Sequence, residues 1–512
     1  MKGSVGRLML LGVFVVAAIA GCATTLSRTV VPPDRIETVD RKAPFLKAHM
    51  RDGSLYVLSP WSVNDTTRRV SGSGTRYDLT RSAQEQGSLS ASLDSVVLFE
   101  TNVARTPGSV AALAMVTGIT AGVAVYCAAN PKSCFGSCPT FYVSDGARDV
   151  LQAEGFSASV APSLEARDVD ALYRARPQGR EVRIDMVNEA FETHVVRYAN
   201  VLAAPRLPGR RVLVDHEGGF WSVSTPIAPS RCHAPDGDCA ATLASFDGQE
   251  RLSLADSTDL GARETVDIMF DTTLASPALI LASRQSLLPT YLLYQAFAYL
   301  GGDVGRWLAA FERADAATAR RAKGVVEALG GIDVLVANGG GGWDSVATIS
   351  ETGPLAADVR VIPLTQGPSP VRVRLRMAKG AWRIDAAGLV SLGERVTPIR
   401  LSPREVRHRG KRDDVARATL IDSTAALTTF PGDRYTLLFD LPASAERYEL
   451  FLETKGYYLE WMRSEWMAEE NPAQAAALFL DPKGALRRLA PAYKREEPRL
   501  EAAFWRSKYA GF

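Results

Sequence analysis

Apolar and polar residues alternate strictly along several segments of this chain, and that alternation restricts it to a sheet-rich fold. The clearest run is "VRVRLRM" (371–377), in which arginines separate Val, Val, Leu and Met. Similar runs occur at 181–188 and 264–270. Because successive side chains of a strand point to opposite faces, this period predicts sheets with one buried face. We expect a mainly β, α+β fold.

The N-terminus predicts export. Lys2 and Arg7 precede an apolar run that ends at Ile19, which is too short to span a bilayer comfortably and is typical of a signal peptide. The following Ala-Gly-Cys22 resembles the lipobox of bacterial lipoproteins, which implies lipidation of the Cys22 thiol and cleavage before it. The alternative is an ordinary signal peptide with an incidental cysteine. Ala23 in place of Asp favours an outer membrane, facing the periplasm.

Composition shifts along the 512 residues predict six regions. They are a signal peptide (1–21), a lipidated tether (22–45), a small β domain (46–104), an apolar helix (106–130), a β-sandwich (131–400) with a helical insertion at about 284–330, and a C-terminal region of strands and helices (401–512), helical from about 457.

The apolar segment carries no charge between Arg105 and Lys132, and Gly118 and Gly122 are spaced for close helix packing. Its length permits a transmembrane helix. Its Ala, Gly and Thr content favours a membrane-facing or core helix. If this helix instead spans a membrane, the protein would be a membrane-embedded assembly subunit that uses residues 109–127.

Five cysteines remain if Cys22 is lipidated, and disulfides persist outside the cytoplasm. The local pairings are Cys134 with Cys138 and Cys232 with Cys239, which leaves Cys127 as one free thiol. "CFGSCP" also shares Cys-x-x-x-Cys-Pro with copper-delivery proteins, so metal or redox chemistry is the alternative there. We expect structural disulfides, no bound metal and no cofactor.

No catalytic motif is complete. The five histidines form no zinc-hydrolase pattern, and no Gly-x-Ser-x-Gly elbow occurs. Carboxylates do cluster between residues 165 and 192, and a pair at suitable separation would suit a glycan or ester hydrolase. The members of this cluster are Glu165, Asp168, Asp170, Glu189 and Glu192.

Two groups of residues are candidates for binding. Arg372, Arg374 and Arg376 share one face of a predicted strand and suit an anion, although a solvated sheet face explains them too. Trp461 and Trp466 lie on a predicted C-terminal helix that would contact a partner or pack in a core. The net charge of +2 gives no reason to expect nucleic acid as a partner.

The order of "SCPTFYVSDG", "LQAEGFSASVAPSLEARDVDAL" and "NEAFETHVVRYANVL" resembles an uncharacterised class of bacterial envelope lipoproteins over residues 106–240. The resemblance implies an extracytoplasmic address and a β-rich body. We expect a lipid-anchored, non-catalytic envelope protein that binds a protein partner or an envelope ligand. The alternative is the envelope hydrolase.

Overall fold

The computed structural model describes residues 25–31, 33–43, 45–50, 54–77, 83–105, 139–160, 164–190, 192–301, 324–350, 353–365, 369–430, 432–460 and 469–509. Predictions for other residues lie outside this description. They concern the signal peptide, Cys22, the apolar helix at 106–130, Cys127, Cys134, Cys138, Trp461 and Trp466.

The chain divides into two compact units. The first contains an antiparallel sheet of order β1-β6-β2-β3-β4-β5. Its strands are β1 (Thr25–Val31), β2 (Phe45–Met50), β3 (Leu55–Asn64), β4 (Arg69–Tyr77), β5 (Ala83–Ser92) and β6 (Val96–Arg105). Leu46 and Ala48 of β2 alternate into the core, where they pack with Leu58 and Phe99.

The tether predicted over residues 22–45 differs from the structure. β1 lies within it and pairs with β6 from Thr25↔Arg105 to Val31↔Phe99. A 3₁₀ helix, Pro33–Thr38, follows. Backbone pairing with a distant strand forms β1, and such pairing leaves no periodic signal in the tether itself.

The second unit contains the other described strands. They are β7 (Thr140–Ser144), β8 (Asp149–Glu154), β9 (Ala166–Ala171), β10 (Glu181–Val187), β11 (Glu192–Pro205), β12 (Arg211–Asp215), β13 (Phe220–Val223), β14 (Arg231–Ala234), β15 (Gly237–Asp238), β16 (Arg251–Leu252), β17 (Arg263–Phe270), β18 (Pro277–Gln285), β19 (Ile332–Ala337), β20 (Trp343–Ile349), β21 (Asp358–Pro363), β22 (Val371–Ala378), β23 (Trp382–Arg395), β24 (Ile399–Leu401), β25 (Glu405–His408), β26 (Lys411–Arg412), β27 (Leu427–Thr429), β28 (Arg434–Asp440) and β29 (Tyr448–Glu460).

These strands form four sheets, so the mainly β prediction is confirmed. Their orders are β26-β25-β28-β10-β7-β8, β24-β11-β29-β9 with β27 beside β11, β13-β12-β21-β18-β23-β16 with β13 also paired to β23, and β15-β14-β17-β22-β19-β20. The predicted alternation holds in β22, where Val373 and Leu375 are fully buried and Arg372 is exposed.

The first two of these sheets share one core, to which Ile184, Phe439, Val201 and Leu452 contribute. β28 pairs with β10 and β29 with β11, in both cases across more than 240 residues of sequence. The boundary predicted at residue 400 therefore does not divide the structure, because strands from both sides of it build the same sheets.

The helices are α1 (Leu288–Leu300), α2 (Gly324–Leu329), α3 (Asp414–Ile421), α4 (Pro472–Leu480) and α5 (Pro482–Tyr509). α1 and α2 lie in the predicted helical insertion. The helix predicted from about residue 457 is wrong at its start, because residues 457–460 complete β29, whose register with β11 extends to Glu192↔Glu460. Within the described residues, no helix combines the length and apolar character needed to cross a membrane.

Candidate functional site

A polar cavity of about 270 Å³ lies in the second unit, beside the edge strand β9. β8, β9 and β21 contribute to its walls, together with the turn between β12 and β13. Five carboxylates and two guanidinium groups line it: Glu154, Asp168, Asp170, Glu217, Asp358, Arg167 and Arg360. At about 30 Å³ per water molecule, the volume suits a small ligand.

β9 supplies two of the carboxylates. Asp168 and Asp170 are two positions apart and therefore share one face of the strand. Asp168 accepts backbone N–H groups at both oxygens, from Phe156 at 3.0 Å and from Val169 at 2.8 Å. Asp170 differs, because its buried Oδ2 has no hydrogen-bond donor within the described part of the chain.

β21 brings a third carboxylate and a guanidinium to the same cavity. Asp358 is only 7% exposed, and Arg360, two positions further along, donates from Nε to its Oδ2. Arg360 Nη2 also lies 4.0 Å from Asp168 Oδ1, so the guanidinium bridges the two strands. The other oxygen of Asp358, Oδ1, is buried and no described donor reaches it.

The arrangement makes ionisation of Asp170 unfavourable. Burial raises its pKa well above the usual range, and the negative charges of Asp168 and Asp358 raise it further, whereas Arg360 opposes the change. Burial also raises the pKa of Asp168, with Arg360 acting against it. Two neighbouring carboxyls in a negative field attract either a proton or a cation.

Hydrogen bonds to the backbone fix two other parts of the wall, the loop before β21 and the β12–β13 turn. Glu154, which is 3% exposed, accepts the N–H groups of Leu355 at 2.6 Å and Ala356 at 2.8 Å and so holds the loop before β21. In the β12–β13 turn, Asp215 accepts the N–H of Glu217 at 2.9 Å. Gly218 in this turn adopts a φ of +86°, a conformation that favours glycine.

The structure separates most of the carboxylates predicted for a hydrolase. Glu165 pairs with Arg197 at 2.6 Å. Glu189 accepts from the hydroxyls of Thr140 and Tyr142, at 2.8 and 2.9 Å.

Glu192 is fully buried and lies 3.0 Å from Nε2 of His194. Burial lowers the pKa of His194 to about 3, so this imidazole is neutral at physiological pH. Of the five carboxylates in the predicted cluster, Asp168 and Asp170 line the cavity and the other three do not.

The arginine face of β22 is engaged within its own sheet. Arg374 binds Asp267 through two hydrogen bonds of 2.6 and 2.7 Å, and its guanidinium lies 4.2 Å from the centroid of the Trp343 ring. Arg376 pairs with Asp333 at 3.0 Å, and Arg372 lies 5.9 Å from the same Trp343 ring. A role of this face in anion binding stays a prediction.

The disulfide between Cys232 and Cys239 is confirmed. Cys232 lies in β14 and Cys239 directly follows β15, and both are buried. Among the described residues, no group of three or more His, Cys, Asp or Glu side chains is arranged to hold a metal ion.

Sequence reasoning missed Asp358, Arg360 and Glu154 as site residues. A signal was present, because "DVRVIP" places Asp358 and Arg360 at i and i+2 among apolar residues, and "RDVDA" places Asp168 and Asp170 at the same spacing, next to Arg167. That spacing directs both charges to one face, where a buried partner or a ligand must compensate them. Because β9 and β21 are far apart in sequence, the sequence alone did not indicate that they line one cavity.

Comparisons with known proteins identify no family. No family model matches the chain, and no curated protein matches it. Two solved structures, of the arabinofuranosyltransferase AftD from Mycobacteria and of tripeptidyl peptidase 2, each align at 10% identity with a TM-score of 0.15. The alignments cover 85% and 92% of this chain but 32% and 33% of those proteins, so the chain spans about a third of their length. Similarity at this level indicates neither a shared fold nor a shared function.

Proposed function

We propose that this chain is a lipid-anchored protein of the bacterial envelope that binds a small polar ligand in the cavity beside β9 without altering it covalently. The observation that carries the proposal is a pair of buried oxygens, Asp170 Oδ2 and Asp358 Oδ1, which belong to two residues that line one cavity and which receive no donor from the described residues. Buried polar atoms are normally hydrogen-bonded, so a ligand with donor groups would complete this site.

The proposed setting is the outer membrane facing the periplasm, with Cys22 as the lipidated residue and a β-sandwich body carrying a helical insertion. The lipobox supports the anchor, and the Cys232–Cys239 disulfide fits an oxidising compartment. Labelling with radioactive palmitate should mark the parent protein and not Cys22→Ser. Equal labelling of both would refute lipidation.

Ligand binding is tested by thermal-shift screening of the purified chain against fractions of small envelope molecules. A ligand of the cavity should raise the melting temperature of the parent and of Asp422→Asn, a control whose carboxylate caps an exposed turn at the end of α3. The same fraction should leave Asp170→Asn unchanged. If every active fraction shifts Asp170→Asn as much as the parent, the cavity is not the binding site.

Hydrolysis of a glycan or ester is the second candidate function. It is favoured by the unequal settings of Asp168 and Asp170, because carboxyls whose pKa values are displaced differently suit acid and base roles. Turnover of glycan or ester substrates that is lost in Asp170→Asn while binding persists would establish it. Binding without turnover would leave the non-catalytic proposal standing.

A further inference from the structure

We propose that the ligand of this cavity carries a protonated primary amine, which donates hydrogen bonds to Asp170 Oδ2 and Asp358 Oδ1. This inference rests on the proposed function and specifies the chemical class of the ligand. An ammonium group has three N–H donors and one positive charge, which matches two buried acceptors in a negative setting.

Charge favours a cation over a neutral or anionic ligand. Five carboxylates line the cavity against two guanidiniums. One of these, Arg167, already donates from Nε to the fully buried Glu453 at 2.6 Å. The other, Arg360, binds Asp358. An added anion would therefore meet net negative charge, and a cation would relieve the repulsion between the carboxylates.

The arrangement of the carboxylates distinguishes an amine from other cations. Arg360 lies between Asp168 and Asp358, so these two side chains do not converge on one point as the ligands of a metal ion do. A quaternary ammonium group has no N–H and is typically bound in a cage of aromatic rings. None of the described residues that line the cavity is Phe, Tyr or Trp.

Protons and the amine compete for the same site. Burial, together with the negative charges of Asp168 on the same strand, Asp358 on β21 and Glu154 at the end of β8, favours the protonated form of Asp170, whereas Arg360 on β21 opposes it. His216 and Glu217 of the β12–β13 turn line the same cavity. Affinity for an amine should therefore increase as the pH rises through the pKa of Asp170, and Asp170→Asn should lose this dependence.

The test is isothermal titration calorimetry of the full mature chain with 1,5-diaminopentane, and with 1,5-pentanediol as the neutral probe of the same length. We expect the diamine to bind and Asp170→Asn to weaken it by about tenfold to a hundredfold, the effect of losing one charge-assisted hydrogen bond. Asp358→Asn, which keeps an oxygen for Arg360, should act in the same direction, and Asp422→Asn should bind like the parent.

The outcomes separate this inference from the proposed function. Equal binding of the diol, or binding of Ca²⁺ in preference to the diamine, with loss in Asp170→Asn, would overturn the amine assignment and leave a ligand site in the cavity. Diamine binding that no cavity variant alters would overturn it as well. No binding of any probe, together with no Asp170-dependent shift in the envelope fractions, would overturn both.

Discussion

Glu250 is the counter-ion of two buried arginines, and replacing it with glutamine tests the physical account of the second unit. It receives Arg284 Nε and Nη2 at 2.5 Å each, while Arg383 Nη1 lies 3.6 Å away. Arg284 and Arg383 are directly opposite each other on β18 and β23 and are 1% and 2% exposed. Burial, followed by the charge of Arg284, lowers the pKa of Arg383 to about 10, so the pair depends on the shared carboxylate.

Glu250→Gln leaves two buried positive charges without their carboxylate. Removing one partner of a buried ion pair costs about 3–5 kcal/mol, and two cations sharing one anion place the expected loss in the upper part of that range, at about 4–5 kcal/mol. Urea unfolding followed by fluorescence measures the free energy of unfolding, and Trp382 on β23, which is 2% exposed, is a reporter close to the change.

Rescue by a second substitution separates this cause from a packing defect. Arg383→Met in the Glu250→Gln background removes one uncompensated charge, so the double variant should be more stable than Glu250→Gln alone. Asp414→Asn breaks a pair with Arg412 in which both side chains are about two-thirds exposed, and should leave stability unchanged. A loss below about 1 kcal/mol for Glu250→Gln, or strictly additive losses in the double variant, would refute the reasoning.

Other predictions concern a cross-link, two glycines and one carboxyl. Replacing Cys232 and Cys239, seven positions apart, with serine should lower the free energy of unfolding by about 2.5 kcal/mol through loop entropy, and equal urea midpoints would count against this. Gly380→Ala should destabilise the chain more than Gly410→Ala. Both glycines have a φ near +75°, but only at position 380 would the new Cβ meet backbone, 2.6 Å from the amide nitrogen of residue 255. Thermal melts that give the reverse order would contradict this prediction. Asp170→Asn should stabilise the chain at pH 7 and not at pH 3. The raised folded-state pKa of Asp170 contributes stability that is present below the unfolded value of about 3.9 and is lost as the pH rises through the folded value. An equal gain in stability at both pH values would contradict this prediction.

Structural features that depend on residues close together in sequence were predictable from the sequence pattern. Alternation in "VRVRLRM" predicted β22 and its buried face. The Cys232–Cys239 pairing was also predictable, because the two residues are close in sequence.

Long-range pairing was not predictable in this way. β29 aligns with β11 through Val201↔Leu452, and no local period encodes a partner about 250 residues away. The cavity depends on the same kind of information, since Asp170 and Asp358 are far apart in sequence. Sheet topology brings these two residues to one cavity, whereas the charged residues at i and i+2 of each strand can be read from the sequence alone.

The most direct test of the central claim is native mass spectrometry of the mature protein, extracted in mild detergent, beside Asp170→Asn purified in the same way. We predict that a small amine-bearing molecule accompanies the parent chain and is lost or strongly depleted in Asp170→Asn, while Asp422→Asn retains it. The same molecule at equal occupancy on the parent and on Asp170→Asn would contradict the claim that the cavity beside β9 is the ligand site.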